Sequence, residues 1–377
     1  MNTYSLRHKL ILSLIAIFSA TVGTFAQTGP VSPAHLGFIY PISSNGKDAA
    51  KYTNRFSFHA LAGLSKAETG AAIAGISNVI RDSATGFQLA GISNHTGNTY
   101  KSVQVAGILN HTIHKGSGVQ FAGIANYAGS FQGLQSAGFI NVATKDATGL
   151  QLAGFMNHAG DSAIQIGGFI NTAKNANVQI AGFINVASSA NTQIAGFINV
   201  AKKVKHVQIG FINIADSADV QLGIVNINKR GEKQISASID ESATTIAAFK
   251  TGGRYLYGIL GVGYNWKNSD ALYALQAGIG AHIPLLSHFR LNVEATHTTL
   301  TKFKKGYYGR STLGVFPAYR FGNRIEVFAG PTINYVFYSE GLGAGLNNNF
   351  MWSRIRDNNN FQGVFIGATG GVQVKLF

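Results

Sequence analysis

The residues best suited to chemistry in this 377-residue chain are a few histidines, one basic-aromatic cluster and scattered carboxylates. His95, His111 and His158 each directly follow an asparagine of a repeated motif. If successive motifs stacked, His95 and His111 would lie one layer apart, and neighbouring neutral imidazoles can share a transition metal. The same slot elsewhere holds Tyr127, Val142 and Thr172, and no acidic residue accompanies it. The expectation is therefore no metal site and no cofactor, with His95 and His111 as the candidate pair should one exist. The densest cationic cluster is Lys302, Phe303, Lys304, Lys305, Tyr307, Tyr308 and Arg310. Ammonium and guanidinium groups beside aromatic rings suit the phosphates of a lipid surface, which makes these seven the candidate binding residues.

Catalysis needs groups at defined spacings. A nucleophile elbow, a phosphate-cradling glycine loop, a two-histidine zinc helix and a pair of catalytic carboxylates are all missing. The 46 glycines recur with the repeat and read as close-packing positions. The chain is expected not to be an enzyme. Asp82-Ser83-Ala84, Asp161-Ser162-Ala163 and Asp216-Ser217-Ala218 fit either a glycan acceptor or ordinary turn chemistry. Asn94-His95-Thr96 and Asn110-His111-Thr112 match the N-glycosylation pattern. The net charge of +15 comes from scattered residues, so no nucleic-acid groove is expected. The absence of cysteine excludes disulfides and thiolate chemistry.

The elements that would position these residues are repeats. The unit Val-Gln-Ile-Ala-Gly-Phe-Ile-Asn-Val-Ala places asparagine at 78, 94, 110, 126, 141, 157, 171, 185, 199, 213 and 226, at spacings of 16, 16, 16, 15, 16, 14, 14, 14, 14 and 13. Asn94, Asn110, Asn126, Asn141, Asn157, Asn171, Asn185, Asn199 and Asn213 are read as structural positions of the repeat. Alternation puts Val178, Ile180, Ile184 and Val186 on one face and Gln179, Ala181, Phe183 and Asn185 on the other. Leu61-Ala62-Gly63-Leu64 is expected to open the array, with Lys66 in the asparagine's place. Polar stretches such as 187–191 and 215–219 read as turns. Two architectures fit: a parallel β-solenoid with one unit per coil, or a large antiparallel barrel with one unit per strand. Even and odd connectors do not differ, and an apolar residue recurs inside them at Ala176, Ala190, Val204 and Ala218, which favours the solenoid.

Beyond about Arg230 the pattern becomes longer alternating strands, at 234–241, 243–251, 254–266, 271–285, 289–300, 309–321, 324–338 and 361–376. Short connections such as Gly322-Asn323 alternate with long polar ones such as 339–360. About eight strands, with Tyr264, Trp266, Tyr319, Tyr335 and Phe337 near their ends, are expected to form a small transmembrane-type barrel. Arg290, Glu294, Arg320, Arg324 and Glu326 fall on its inner faces, as filling charges. A positive start at Arg7, His8 and Lys9, an apolar run from Leu10 to Phe18, and Thr24-Phe25-Ala26 read as a cleaved export signal. The reading divides the chain into 1–26 (signal), 27–55 (N-terminal segment), 56–230 (β-repeat array) and 231–377 (barrel).

The Val-Gln-Ile-Ala-Gly-Phe-Ile-Asn units followed by an aromatic, strand-rich region resemble the surface repeat-containing proteins of Bacteroidota and spirochaetes. That resemblance implies an exported cell-envelope protein and carries no catalytic residues. The all-β chain is thus expected in the outer membrane, as a structural or interaction scaffold, with outer-membrane lipid or lipopolysaccharide as partner and an envelope protein or glycan as a further one. The alternatives are one large pore, or a secreted carbohydrate-binding solenoid.

Overall fold

A computed structural model of the protein describes residues 29–253, 255–267, 273–303, 306–356 and 360–376. The expected signal over 1–26, Lys304, Lys305 and Phe377 lie outside them. The chain forms two compact units that divide at Gly167/Gly168.

In the first unit, β1 (Val31–Ile39), β2 (Ile42–Ser43) and a 3-10 turn (Gly46–Lys51) precede seven long strands. These are β3 (Thr53–Ala74), β4 (Ser77–Ala90), β5 (Ser93–Ala106), β6 (Leu109–Ala122), β7 (Ala125–Ala137), β8 (Ile140–Ala153) and β9 (Met156–Gly167). Each pairs in parallel with the next, and Asn78, Asn94, Asn110, Asn126, Asn141 and Asn157 stand in register. Parallel pairing of consecutive strands one repeat apart is a β-solenoid, one unit per coil. It excludes the large antiparallel barrel for the repeats, because strands of such a barrel would run in alternate directions. The stretches read as turns bend without leaving the ladder: Ala187–Ala190 lies inside one strand, with Ala187 and Ala190 buried.

The first coil differs from expectation. Gly63, and not Lys66, stands in register with Asn78. A side chain at Gly63 would overlap the His59 ring, which fills the space an asparagine takes in later coils. The coil before it is β1, parallel to β3, with β2 folded back antiparallel on its outer side. A short reversed strand blunts the open end of a ladder that would otherwise template further pairing.

In the second unit, coils continue as β10 (Ile170–Ala181), β11 (Ile184–Ala195), β12 (Ile198–Ile209), β13 (Ile212–Leu222) and β14 (Val225–Asn228), again parallel with the asparagines in register. Then the topology changes. Strands β15 (Glu232–Asp240), β16 (Thr244–Gly252), β17 (Leu256–Asn265), β18 (Tyr273–Pro284), β19 (Phe289–Thr301), β20 (Tyr308–Phe321) and β21 (Ile325–Tyr338) form an antiparallel meander. β22 (Trp352–Arg356) adds to the start of β23 (Asn360–Lys375), and β23 pairs with both β21 and β15. The β15–β23 pairing closes an eight-stranded barrel. All eight expected strands match within two residues.

Candidate functional site

The coils are inside-out for a water-soluble protein. Asn, Gln and Ala are buried in coil after coil, while most Ile, Val, Leu and Phe face outward, Ile80, Phe131 and Val204 being buried exceptions. Alternation fails at the glycine corner: Phe183 sits outside with Ile184, and not inside with Asn185 and Gln179. The corner requires glycine, since a Cβ at Gly182 would stand 2.1 Å from the Gly168 carbonyl oxygen of the preceding coil.

The interior amides form two ladders. In the first unit, Asn78 Nδ2 donates to Asn94 Oδ1, and so on through Asn110, Asn126 and Asn141 to Asn157, each at 2.9 Å. Asn171 to Asn226 repeat this at 2.8–3.0 Å in the second unit. The same amide also donates to a carbonyl just before the glycine corner, as Asn185 does to Ile194 at 2.7 Å. The glutamines run the other way: Gln104 donates back to Gln88, Gln120 to Gln104, and Gln193 to Gln179. Two rows of opposed amide dipoles satisfy most of the buried carboxamides, which rigidifies the interior. Gln221 Oε1, at the end of the glutamine row, is left without a partner among the described residues.

His95 and His111 do stack one coil apart, edge to face at 5.8 Å, and His111 packs likewise on Tyr127 at 5.2 Å. Burial lowers both imidazole pKa values, and His95 lowers that of His111 further. His158 lies at the equivalent slot of β9, in register with Val142. Among the described residues no group of three or more His, Cys, Asp or Glu side chains could hold a metal. A second polar cluster went unread in the sequence. His35 Nε2 lies 2.9 Å from Ser43 Oγ and 3.5 Å from His59 Nε2, while Asn54 Nδ2 donates to Glu68 Oε1 at 3.0 Å and lies 3.3 Å from His35 Nδ1. Ser57 also donates to Glu68. Burial pushes the Glu68 carboxyl up to about 7, and burial together with His59 lowers His35 to about 4. These residues sit in the first coils, where the repeat motif is degenerate and offers no signal. The cluster fills the end of the solenoid.

The barrel interior is packed with charge. Glu294 Oε1 accepts from Lys250 at 2.5 Å and from Tyr257 at 2.7 Å. Arg290 bridges Glu326 at 2.7 Å and Glu232 at 3.0 Å, and Gln373 and Asn292 both donate to Glu326. Arg310 pairs with Asp240 and lies 3.5 Å from Glu241. A cavity of about 40 Å³ remains among Lys250, Glu294, Arg310 and their neighbours. That holds about one water and no solute. Leu342 and Leu346, from the long 339–350 connection, pack on Tyr308, Leu300 and Phe365 and plug the long-loop end. Arg324 is exposed near the Gly322-Asn323 turn, and Arg320 is partly exposed, 3.7 Å from Glu326.

The outer wall is apolar. Ile239, Phe249, Val262, Leu275, Leu313 and Ile366 are all exposed there. Aromatic rings gather at both ends, Tyr264 with Trp266 and Tyr273 near the long loops, and Tyr319 with Phe321 near the short turns. Of the basic-aromatic cluster, Phe303 is 79% exposed and Tyr307 stacks on Phe337 at 5.0 Å. Tyr308 and Arg310 are buried inside the barrel, so these two are not part of an outer basic surface. Lys302 lies beside Phe303 at the strand end, and Lys304 and Lys305 lie outside the described residues.

No family model matches the chain, and a search of curated proteins found no match. A solved structure from the de novo design of transmembrane beta-barrels is similar to it, at 15% sequence identity over 38% of this chain and 93% of its own, with a TM-score of 0.24. The combination of β-solenoid and closed barrel rests on the chain's own strand pairing.

Proposed function

We propose that the protein is an exported outer-membrane protein whose barrel spans the lipid and anchors the coil array as a non-catalytic scaffold. One observation carries the reading: the closed barrel is apolar outside, ringed with aromatics at both ends and ion-paired within. Strands of 9 to 16 residues have the length a tilted strand needs to cross the hydrocarbon core. The expected export signal and the resemblance to the surface repeat-containing proteins of Bacteroidota and spirochaetes agree with it. Outer-membrane lipid, including lipopolysaccharide at the rim near Phe303 and Tyr307, is the nearest partner, and an envelope protein or glycan on the coils a further one. The packed interior favours an anchor over a pore.

Carbonate extraction and planar-bilayer recording test this together. The protein is expected to stay in the membrane pellet without detergent and to give no steady single-channel current. Release by carbonate would sink the anchor; a stable open conductance would make it a pore.

A further inference from the structure

The two edges of each coil differ in chemistry. The residue after the corner glycine is apolar in every coil, from Ile76 to Phe155 in the first unit and from Phe169 to Ile224 in the second. In the second unit Phe169, Phe183, Phe197 and Phe211 stack at 4.9–5.8 Å into a continuous outer ridge. Outward Ile180 and Ile184 flank it, and Val186, Val200 and Ile214 extend the apolar zone of this unit about 10 Å from the corner, three residues of extended chain. The same slot of the first unit includes His95, His111 and His158. The opposite edge is polar and exposed, with Lys174, Asn177, Ser188, Lys202 and Lys203.

Ridge and barrel wall meet. The last ridge residue, Ile224, lays its carbonyl against Gly258, where a Cβ would stand 2.1 Å away. Gly258 belongs to the outward-facing set of β17, with Leu260 and Val262, yet it is buried. Beside it, the backbone N–H of Asn226 donates to Thr251 Oγ1, and Asn226 Nδ2 to the Thr251 carbonyl. The coils of the second unit therefore leave the barrel from its outer surface, at the short-turn end, with the ridge running out of the apolar wall.

We propose that the glycine edge of the second unit's coils is inserted in lipid, in the leaflet beside the short-turn end of the barrel, with their polar edge in water. This rests on the reading of the barrel as membrane-spanning. An apolar zone about 10 Å deep matches the depth to which an interfacial amphipathic element sinks. Phenylalanine and isoleucine offer a sugar no hydrogen bond, so the ridge suits acyl chains better than a glycan. Its continuity with the wall puts it in contact with whatever covers Leu260.

The chain has no cysteine, so single cysteines can carry an environment-sensitive fluorophore without background. Phe183→Cys and Phe211→Cys report the ridge, Ser188→Cys the polar edge and Val262→Cys the barrel wall. The labelled protein is reconstituted in vesicles of phosphatidylethanolamine and phosphatidylglycerol, with or without brominated acyl chains. The ridge labels are expected to brighten severalfold and to be quenched by bromine as the Val262 label is, while the Ser188 label stays dim. Dim ridge labels beside a bright, quenched Val262 label overturn the inserted edge and leave the barrel reading standing. A dim Val262 label overturns the barrel reading and this proposal with it. Ridge labels that brighten with protein concentration, escape bromine quenching and cross-link between copies show a second copy on the ridge and overturn the proposal.

Discussion

The coil array and the barrel both keep polar groups inside and apolar groups outside, but they use different polar groups. Beyond the first coils, with their Glu68, His35 and His59, the coils bury neutral amides, while the barrel buries the side chains of Lys250, Glu294, Arg290, Glu326, Arg310 and Asp240. In a solenoid each side chain stacks on its own copy one coil away, so it must complement itself. A carboxamide donates and accepts, and does so; a carboxylate or ammonium would face a like charge about 4.8 Å away. In the barrel no strand repeats its neighbour, so opposite charges can be placed face to face. Periodicity, more than polarity, decides which groups a buried interior can hold.

The largest test is to put charge into the ladder. Asn185→Asp replaces an amide that accepts from Asn171 and donates to Asn199 and Ile194 with an acceptor-only group. It is expected to destabilise the coils by about 4 kcal/mol, read as loss of hydrogen-exchange protection over β10–β12. A change below about 1 kcal/mol would mean that the ladder does not govern the coils.

Next comes the barrel pair. Glu294→Leu leaves the Lys250 ammonium buried and is expected to cost about 3 kcal/mol, seen as a lower unfolding temperature of the barrel on gels of unheated samples. Adding Lys250→Met should recover most of it. Doubling the charge in the ladder, as Asn171→Asp with Asn185→Asp, should only deepen the loss. Recovery there would break the distinction.

A smaller effect is expected at the corner. Gly182→Ala sets a methyl against the Gly168 carbonyl and should cost about 2 kcal/mol by thermal melting. Gly322→Ala, with φ near 61° and open space around it, should cost about 1 kcal/mol, from backbone strain alone.

The last test is a pH dependence at Glu68. Its folded pKa of about 7 lies above the ordinary 4.5, so the folded chain holds the proton more tightly. The stabilisation is full below about 4.5 and is lost as pH rises through about 7. His35, lowered to about 4, acts oppositely and weakens the fold as pH falls from 6.5. Glu68→Gln should therefore protect β3 against exchange better than the native chain at about pH 8, and no better at about pH 5. Equal protection at the higher pH would mean that Glu68 is not held neutral by burial.

Much of the barrel was legible. Phe289, Leu291 and Val293 alternate with Arg290, Asn292 and Glu294, and the second set is buried as the strand pattern requires. The ladder register was legible too, because the asparagine spacing is the coil length. Besides the Phe183 corner, the stretches 187–191 and 215–219, Lys66 and the exposed Arg324, three features were not. Tyr308 and Arg310 read as part of an outer basic cluster because adjacency cannot show that Asp240, some 70 residues away, draws the guanidinium inward. Leu342 and Leu346 looked like part of a polar loop until their packing against Phe365 made them a plug. The His35, His59 and Glu68 cluster joins segments that share no motif, and Gly63 in the asparagine register is its one trace.

By itself the sequence determined the period, the barrel's strand limits and, away from the glycine corner, the sorting of residues into two faces, since these depend on near neighbours and on the fixed pitch of an extended chain. Which face of a coil is inside, whether repeats coil or close, and which charges pair were decided only by the tertiary structure. Alternation is unchanged when the two faces are exchanged. The contacts that break that symmetry, such as Asn185 to Asn199, Lys250 to Glu294 and β15 to β23, exist only after the chain has returned upon itself.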